Sequence, residues 1–292
     1  MGWRLFHQSI RYKPWLATHV ADVVIEAFAC ELPPAYIEAM TTRATPPVWL
    51  NLEYLSAEAW VAGCHLMSSP DPRLPLVKHF FFPGFGPGTG GLLRERDYEA
   101  RRRSFDESAF RAEFGVPPRT PDELTISLFA YENPALPDLL RAWAASSHPV
   151  RLLRPCANAA PESAGNLSVH PLPFLPQRRY DELLWTCELN FVRGEDSFVR
   201  AQWAAKPFVW QIYPQAEDAH MAKLDAFLAI HPAGAQLRPF WRAWNGVTLP
   251  DWPQFAARLP SLDASMQQWA QTLVARPDLA SRLVQFCLER LK

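Results

Sequence analysis

Short runs of β-branched and aromatic residues recur along the first part of the chain. They occupy residues 22–26, 47–51 and 78–82. Runs of this length and composition are typical of buried strands. The stretches between them are long enough to hold a helix or a long loop, so the pattern predicts an α/β layer with parallel strands.

The same alternation continues after a proline-rich segment at residues 117–121. Apolar or extended runs predict strands at residues 124–129, 150–153, 169–174, 189–192 and 208–213. Helical patterns lie between them at residues 135–145, 180–186 and 197–205. The proline-rich segment is therefore a candidate boundary between two α/β domains.

Beyond residue 219 the pattern becomes helical. Leu279, Leu283, Cys287 and Leu291 recur every four residues on one helix face, and Pro277 stands near the expected helix start. We predict an N-terminal domain at residues 1–118 and a C-terminal domain at residues 119–292 that ends in helices.

Composition excludes some classes of partner. The chain of 292 residues carries 29 basic and 30 acidic side chains, so its overall charge gives no attraction to nucleic acid or membrane. The start of the sequence lacks the apolar core of a signal peptide, and no run of about 18 apolar residues is present. The expected protein is soluble and cytoplasmic.

The segment at residues 193–197 joins a predicted strand to a predicted helix. Ligands of α/β sheets bind at such loops, and a helix N-terminus favours an anion. Arg193 offers a fork suited to phosphate oxygens, Gly194 permits a tight backbone, and Asp196 or Ser197 can cap the helix. Two adjacent carboxylates, Glu195 and Asp196, would repel a phosphate, so at least one of them is expected to face a sugar hydroxyl or a cation. The alternative is a capped helix with a surface acid and a solvated arginine.

Two further loops offer ligand-binding side chains. Phe174 could stack on a base and Gln177 could bond its edge, although a core phenylalanine and a surface glutamine explain the same residues. Phe129 and Tyr131 follow the first predicted strand of the second domain, where a ligand would lie. Their alternative is an ordinary strand end.

Other motifs argue against competing chemistry. Residues 86–91 match G-x-G-x-x-G, but an arginine-rich polar stretch follows them, so a flexible loop is the better interpretation than a dinucleotide site. No Asp-x-Asp motif is present and the histidines lack ligand spacing, so we predict no metal site. The absence of G-x-S-x-G leaves hydrolase chemistry unsupported.

Several long segments together resemble the elongation factor P arginine rhamnosyltransferase family. They are DVVIEAFACELP (22–33), LEYLSAE (52–58), GGLLRERDY (90–98), RGEDSFVRAQ (193–202) and KPFVWQIYPQ (206–215). The resemblance runs from about residue 10 to the C-terminus.

The resemblance implies a GT-B fold, two Rossmann-like domains facing a cleft, with the acceptor side in the first domain. It also implies inverting transfer of L-rhamnose from TDP-β-L-rhamnose to an arginine of elongation factor P, without a cofactor. By the same resemblance, Phe174 and Gln177 hold the thymine, and Phe129 and Tyr131 line the sugar-nucleotide site. The diphosphate is then surrounded by Arg193, Asp196 and Ser197, and Glu195 is the catalytic carboxylate.

The sequence departs from the family at its start. The family normally opens with a strand and an Asp-Asn-x-Gly-Asp-Ile-Gly loop whose aspartate is the general base, and residues 1–15 contain no such loop. We therefore expect an incomplete N-terminal domain. The alternatives are a catalytically impaired protein that binds TDP-sugar or elongation factor P, and a GT-B transferase with another acceptor.

Overall fold

The computed structural model describes residues 19–156, 160–215, 218–246, 248 and 250–291. They form two compact units. The first comprises the chain up to Arg94 together with the segment from Arg276 onward, and the second runs from Glu95 to Ala275. The boundary predicted at residues 118–119 thus lies inside the second unit, and the last helix lies in the first.

The first unit contains a four-stranded sheet. Its elements are β1 (Val23–Ala27), α1 (Pro34–Met40), β2 (Val48–Leu52), α2 (Val61–Cys64), β3 (Ser68–Pro70) and β4 (Val77–Phe81). The strand order is β1-β2-β4-β3, and β3 alone among these four strands is antiparallel to its neighbour. The three strands predicted in this region are confirmed to within one residue.

The second unit contains a six-stranded sheet with helices around it. Its elements are α3 (Tyr98–Arg103), α4 (Glu107–Glu113), β5 (Leu124–Leu128), α5 (Leu136–Ala144), β6 (Val150–Pro155), β7 (Glu162–Ala164), β8 (Leu167–Leu172), α6 (Gln177–Thr186), β9 (Leu189–Arg193), α7 (Asp196–Ala204), β10 (Phe208–Gln211), α8 (Ala219–Ile230), α9 (Gly234–Asn245), α10 (Trp252–Ala256) and α11 (Leu259–Val274). The strand order is β10-β9-β5-β6-β8-β7, and every described pairing except β7 with β8 is parallel.

Helix α12 (Leu279–Arg290) completes the first unit. Period-two alternation places Val48 and Leu50 on one sheet face, and Phe286 and Cys287 of α12 pack there with Phe81. The predicted helix face is confirmed at Leu279, Leu283 and Cys287. It is wrong at Leu291, which is 39% exposed, because Phe286 takes the remaining core position.

The glycine-rich segment 86–91 packs against the start of α12. The amide of Gly90 donates to the Phe82 carbonyl at 2.7 Å. Gly91 has φ +81°, and a Cβ there would lie 2.8 Å from the Pro277 carbonyl oxygen. A glycine is required at this close approach, so the segment serves packing within the first unit.

Two arginine side chains attach α3 and α4 to the rest of the second unit. The buried Arg111 guanidinium donates to the Pro117 carbonyl and to the Thr125 hydroxyl, both at 2.9 Å. Arg101 on α3 bonds the buried Asp181 carboxylate on α6 at 3.0 Å. These contacts explain why the second unit begins well before the proline-rich segment.

Acidification is expected to destabilise the second unit through His231. Its ring is buried beside Trp269 and accepts the Ala233 amide at Nδ1, and burial lowers its pKa from 6.5 to about 4. As the pH falls, His231 is therefore protonated in the unfolded state at a higher pH than in the folded state. Its contribution to the free energy of unfolding is fully present above pH 6.5 and is lost as the pH falls toward 4. We expect the protonation of this residue to lower the free energy of unfolding by about 2 kcal/mol between pH 7 and pH 5.

Urea titrations at the two pH values measure this effect. His231→Gln should flatten the pH dependence by that amount, and His148→Gln at an exposed site should leave it unchanged. An unaltered pH slope in His231→Gln would contradict the assignment.

Candidate functional site

Strands β5 and β9 are neighbours in the second sheet, but from each of them the chain continues toward an opposite edge of the sheet. The chain runs from β5 to β6 on one side and from β9 to β10 on the other, while β5 and β9 pair directly. In open α/β sheets ligands bind outside the carboxyl ends of strands at such a switch point. Strand β5 ends at Leu128 and β9 ends at Arg193. The candidate site therefore lies in the segments that follow these two residues.

Arg193 is held against the segment after β5. Its guanidinium carbon lies 4.1 Å from the ring centroid of Phe129 and 4.6 Å from that of Tyr131. Its Nη1 also donates to the Ala130 carbonyl at 3.2 Å. A guanidinium stacked on aromatic faces is oriented and partly desolvated. The alternative of a solvated arginine is wrong.

The start of α7 presents main-chain donors. Ser197 accepts a 2.9 Å bond from the Arg193 amide and donates a short bond to the Arg193 carbonyl, which fixes the loop. The N-cap residue is Glu195, which makes no side-chain capping bond within the described residues. Helix capping by Asp196 or Ser197 is therefore a wrong prediction. An uncapped first turn carries partial positive charge and donors suited to an anion.

Gly194 permits the close approach of the two segments. Its φ is +63°, and a Cβ there would lie 2.8 Å from the Tyr131 hydroxyl. Its amide donates to the Gln211 carbonyl at 3.0 Å, and its carbonyl accepts from Trp210 Nε1 at 2.7 Å. The predicted need for glycine at this turn is thus explained by backbone conformation and by Tyr131 together.

Gly194→Ala is expected to weaken binding of TDP, the nucleotide that the sequence resemblance implies, about tenfold. A left-handed backbone costs a non-glycine residue about 1–2 kcal/mol, and the new methyl group displaces Tyr131 from Arg193. Calorimetric titration with TDP measures the change. The double variant Gly194→Ala/Tyr131→Phe should recover part of the affinity, because the clashing oxygen is removed. Wild-type affinity in the single variant would contradict the role given to this turn.

The two carboxylates of the loop differ in their surroundings. Asp196 is exposed and accepts a 3.1 Å bond from Gln177 Nε2 at the start of α6. Glu195 is half-buried. Gln177 thus connects the start of α6 to the start of α7. This contact brings together residues that the sequence predicts to share one site.

Phe174 stands in the segment between β8 and α6, three residues before Gln177. Its side chain is 66% exposed, so the alternative of a core phenylalanine is wrong. An exposed ring of this size is available for stacking with a flat ligand.

Two site residues were missed by the sequence interpretation. The buried Gln211 accepts the Tyr131 amide at 2.8 Å and donates to the Glu132 carbonyl at 3.4 Å. Tyr213 lies edge-on to Tyr131 with ring centroids 5.7 Å apart and is 63% exposed. A glutamine inside an apolar strand was the available signal for the first, since buried amides are hydrogen-bonded.

A buried ion network supports α7 from behind. Arg200 is 2% exposed; it pairs with both carboxylate oxygens of Glu95 and lies 3.4 Å from the Asp181 carboxylate. Hydrogen bonding from Arg200 lowers the pKa of Glu95, whereas burial raises the pKa of Asp181 to about 6. The network anchors the helix whose N-terminus carries the loop.

Within the described ranges, no group of three or more His, Cys, Asp or Glu side chains is arranged to hold a metal ion. Among the same residues, none of the helices has the length and apolar character needed to cross a membrane.

The profile of the family described as "Elongation-Factor P (EF-P) rhamnosyltransferase EarP" matches residues 5–288. The chain belongs to this family. The match includes both compact units and every segment that carried the resemblance in sequence.

Named relatives support the same assignment. The protein-arginine rhamnosyltransferase of Pseudomonas aeruginosa is 47% identical, over 94% of this chain and 80% of that protein. That of Shewanella oneidensis is 36% identical, over 90% and 77% respectively.

Solved structures identify the fold. A structure described as the basis for EarP-mediated arginine glycosylation of translation elongation factor EF-P is 35% identical, with a TM-score of 0.66 over 88% of this chain and 81% of that one. MurG of Acinetobacter baumannii shares 15% identity, with a TM-score of 0.50 over 92% and 73% respectively, and so shares the fold alone. The predicted GT-B type is confirmed, as two α/β units each with a mainly parallel sheet.

Proposed function

We propose that this chain is an enzyme that transfers L-rhamnose from TDP-β-L-rhamnose to an arginine side chain of translation elongation factor P, with inversion. Family membership and the arginine rhamnosyltransferases among its relatives support the enzyme over a protein that only binds these ligands. The relative solved as the basis for arginine glycosylation of EF-P supports this acceptor over another one.

The observation that carries the proposal is the position of Arg193. It combines a guanidinium stacked on Phe129 and Tyr131 with the uncapped start of α7, beyond the carboxyl ends of β5 and β9. A nucleoside diphosphate needs cationic and main-chain donors for its phosphates. The donor diphosphate is proposed to lie here, between Arg193 and the first turn of α7.

Neighbouring side chains are proposed to bind the thymine and the sugar of the donor. Phe174 is proposed to stack on the thymine and Gln177 to bond its edge, while Asp196 accepts from Gln177 and keeps that amide in place. Tyr131 is proposed to line the sugar side, where its ring also contacts Arg193. We propose that the donor is bound without a metal ion, because the Arg193 guanidinium and the main-chain N–H groups at the start of α7 can bind the diphosphate oxygens.

The reaction forms a bond from a guanidinium nitrogen to C1 of rhamnose and breaks the bond from C1 to the diphosphate oxygen. The nitrogen loses a proton, which the Glu195 carboxylate is proposed to accept, and TDP leaves with the electron pair of the broken bond. A guanidinium stays protonated in water, so it is a poor nucleophile. Glu195 is proposed to localise the positive charge and to orient one nitrogen. Arg193 and α7 then stabilise the negative charge that develops on the leaving diphosphate.

Mass spectrometry of purified EF-P after incubation with the chain and TDP-rhamnose tests the proposal. A single added deoxyhexose on an arginine is the expected result. An EF-P in which that arginine is replaced by lysine is the matched control and should stay unmodified. No mass increase with active donor and folded enzyme would refute the proposed activity. A cytoplasmic location is proposed with it, because an acceptor that serves translation is found there.

A further inference from the structure

We propose that Gln211 is a positioning residue of the donor site, which holds the Tyr131 ring on the Arg193 guanidinium through the backbone of the segment after β5. The inference rests on the proposed function for the identity of the ligand. Its geometry rests on the hydrogen bonds that one buried glutamine makes to both loops of the site.

The segment at residues 129–132 leaves the sheet at the end of β5 and reaches across β9 to β10. The Phe129 amide donates to the Phe191 carbonyl of β9 at 2.9 Å. Two residues later, the Tyr131 amide donates to Gln211 Oε1 of β10 at 2.8 Å. The rings of these same two residues stack on Arg193. The backbone of the segment is thus attached on both sides of the guanidinium that it covers.

Gln211 bonds the two loops with different parts of the residue. It is the last residue of β10, stands opposite Arg193 in the strand register and is 5% exposed. Its carbonyl accepts the Gly194 amide at 3.0 Å, and its Nε2 donates to the Glu132 carbonyl at 3.4 Å. The main chain of Gln211 therefore holds the loop after β9, while its side chain holds the segment after β5.

Helix α9 fixes the backbone on either side of Gln211. The Ile212 amide donates to Oδ1 of Asn245, the last residue of α9, at 2.9 Å. Nδ2 of the same asparagine donates to the Trp210 carbonyl at 2.7 Å. Gln211 is therefore a fixed point, to which a segment without strand partners of its own can be attached.

The attachment matters because the stack itself is weak. Tyr131 and Arg193 are both half-buried, and cation–π contacts outside a dry core contribute little. Groups that are already ordered before the ligand arrives avoid the entropic cost of ordering them on binding. Gln211 is thus expected to raise the affinity for the diphosphate without touching it.

Calorimetric titration of the full chain with TDP tests the inference. Gln211→Met keeps the length of the side chain but removes its hydrogen bonds, and should weaken TDP binding about tenfold. Gln211→Glu keeps an acceptor for the Tyr131 amide and should lose less affinity. Gln202→Met is the matched control. This second buried glutamine accepts from Trp269 Nε1 at 2.7 Å and donates to the Phe198 carbonyl at 3.1 Å. Its loss should lower stability in urea and leave TDP affinity at the wild-type value.

A double-mutant cycle separates positioning from a general loss of structure. Tyr131→Ala removes the ring that Gln211 is proposed to position. In that background, Gln211→Met should change TDP affinity by less than about twofold, because the two residues act through one contact. The same tenfold loss in both backgrounds would overturn the positioning role. If the methionine variant does not fold, Gln211→Glu is compared in the two backgrounds, and its smaller loss should vanish in the second.

The outcomes also separate this inference from the proposed activity. Wild-type TDP affinity in Gln211→Met, while the wild-type chain transfers rhamnose, would overturn the positioning role alone. Equal weakening in Gln211→Glu and Gln211→Met would overturn the bond to the Tyr131 amide as its source. Equal weakening in Gln202→Met would assign the effect to stability and overturn the inference. A wild-type chain that neither binds TDP nor modifies EF-P would overturn both.

Discussion

Replacing Glu195 with glutamine is expected to lower kcat for rhamnose transfer by about 10²–10⁴-fold, the range measured for one positioned acid–base or orienting group. The variant keeps the shape of the side chain but removes the charge that localises the acceptor guanidinium. TDP affinity should stay within about twofold, because Arg193 and the first turn of α7 are proposed to bind the diphosphate. Quantitative mass spectrometry of EF-P under single-turnover conditions measures the loss.

Glu162→Gln is the matched control, since it removes an exposed carboxylate on β7 in the same unit. It should transfer rhamnose at the wild-type rate. Transfer by Glu195→Gln at that same rate would show that the carboxylate takes no part in the reaction. A large loss of TDP affinity would instead place Glu195 among the donor-binding groups.

Arg193→Ala is expected to lower kcat/KM for the donor by about 10²–10³-fold, as removal of a group that stabilises developing charge does. The loss has two sources, the charge beside the leaving diphosphate and the stacking that holds Phe129 and Tyr131 in place. Arg193→Lys should lie between alanine and wild type, because lysine supplies charge without the planar fork. TDP titration and initial rates separate binding from chemistry.

Arg141→Ala is the control for loss of a cation, since its side chain is 73% exposed on α5. Its kinetics should match wild type. If Arg193→Lys proves as active as wild type, the stacked, planar geometry is irrelevant and charge alone suffices. If Arg193→Ala retains full TDP affinity, the diphosphate binds elsewhere.

Sequence periodicity located most strands of both sheets because their core positions are continuous apolar runs. Strand β10, for example, reads Phe-Val-Trp-Gln and is buried at all four positions, as a strand covered on both faces requires. The boundary between the two units could not be located from the sequence in the same way. Segment 95–118 joins the second unit through contacts of Arg101 and Arg111, and contacts between distant side chains leave no local periodic signal.

The site was found in outline through a sequence resemblance and in detail through the fold. The residues after β5 and β9 are about 60 positions apart in sequence, yet the parallel pairing of these strands brings Arg193 onto Phe129. Sequence interpretation assigned Ser197 to the helix cap and to the diphosphate. The structure shows its hydroxyl bonded to the Arg193 backbone, because the left-handed turn at Gly194 directs the loop back on itself.

The sequence by itself determined the α/β class, most of the strands and the family, since apolar periodicity and long specific motifs are local properties of the chain. Tertiary structure alone decided that α12 covers the first sheet, that Arg193 stacks on two rings, and that Gln211 accepts the Tyr131 amide. Each of these depends on which distant segments pack together. That choice is set by burial and hydrogen bonding over the whole fold, and no short stretch of sequence encodes it.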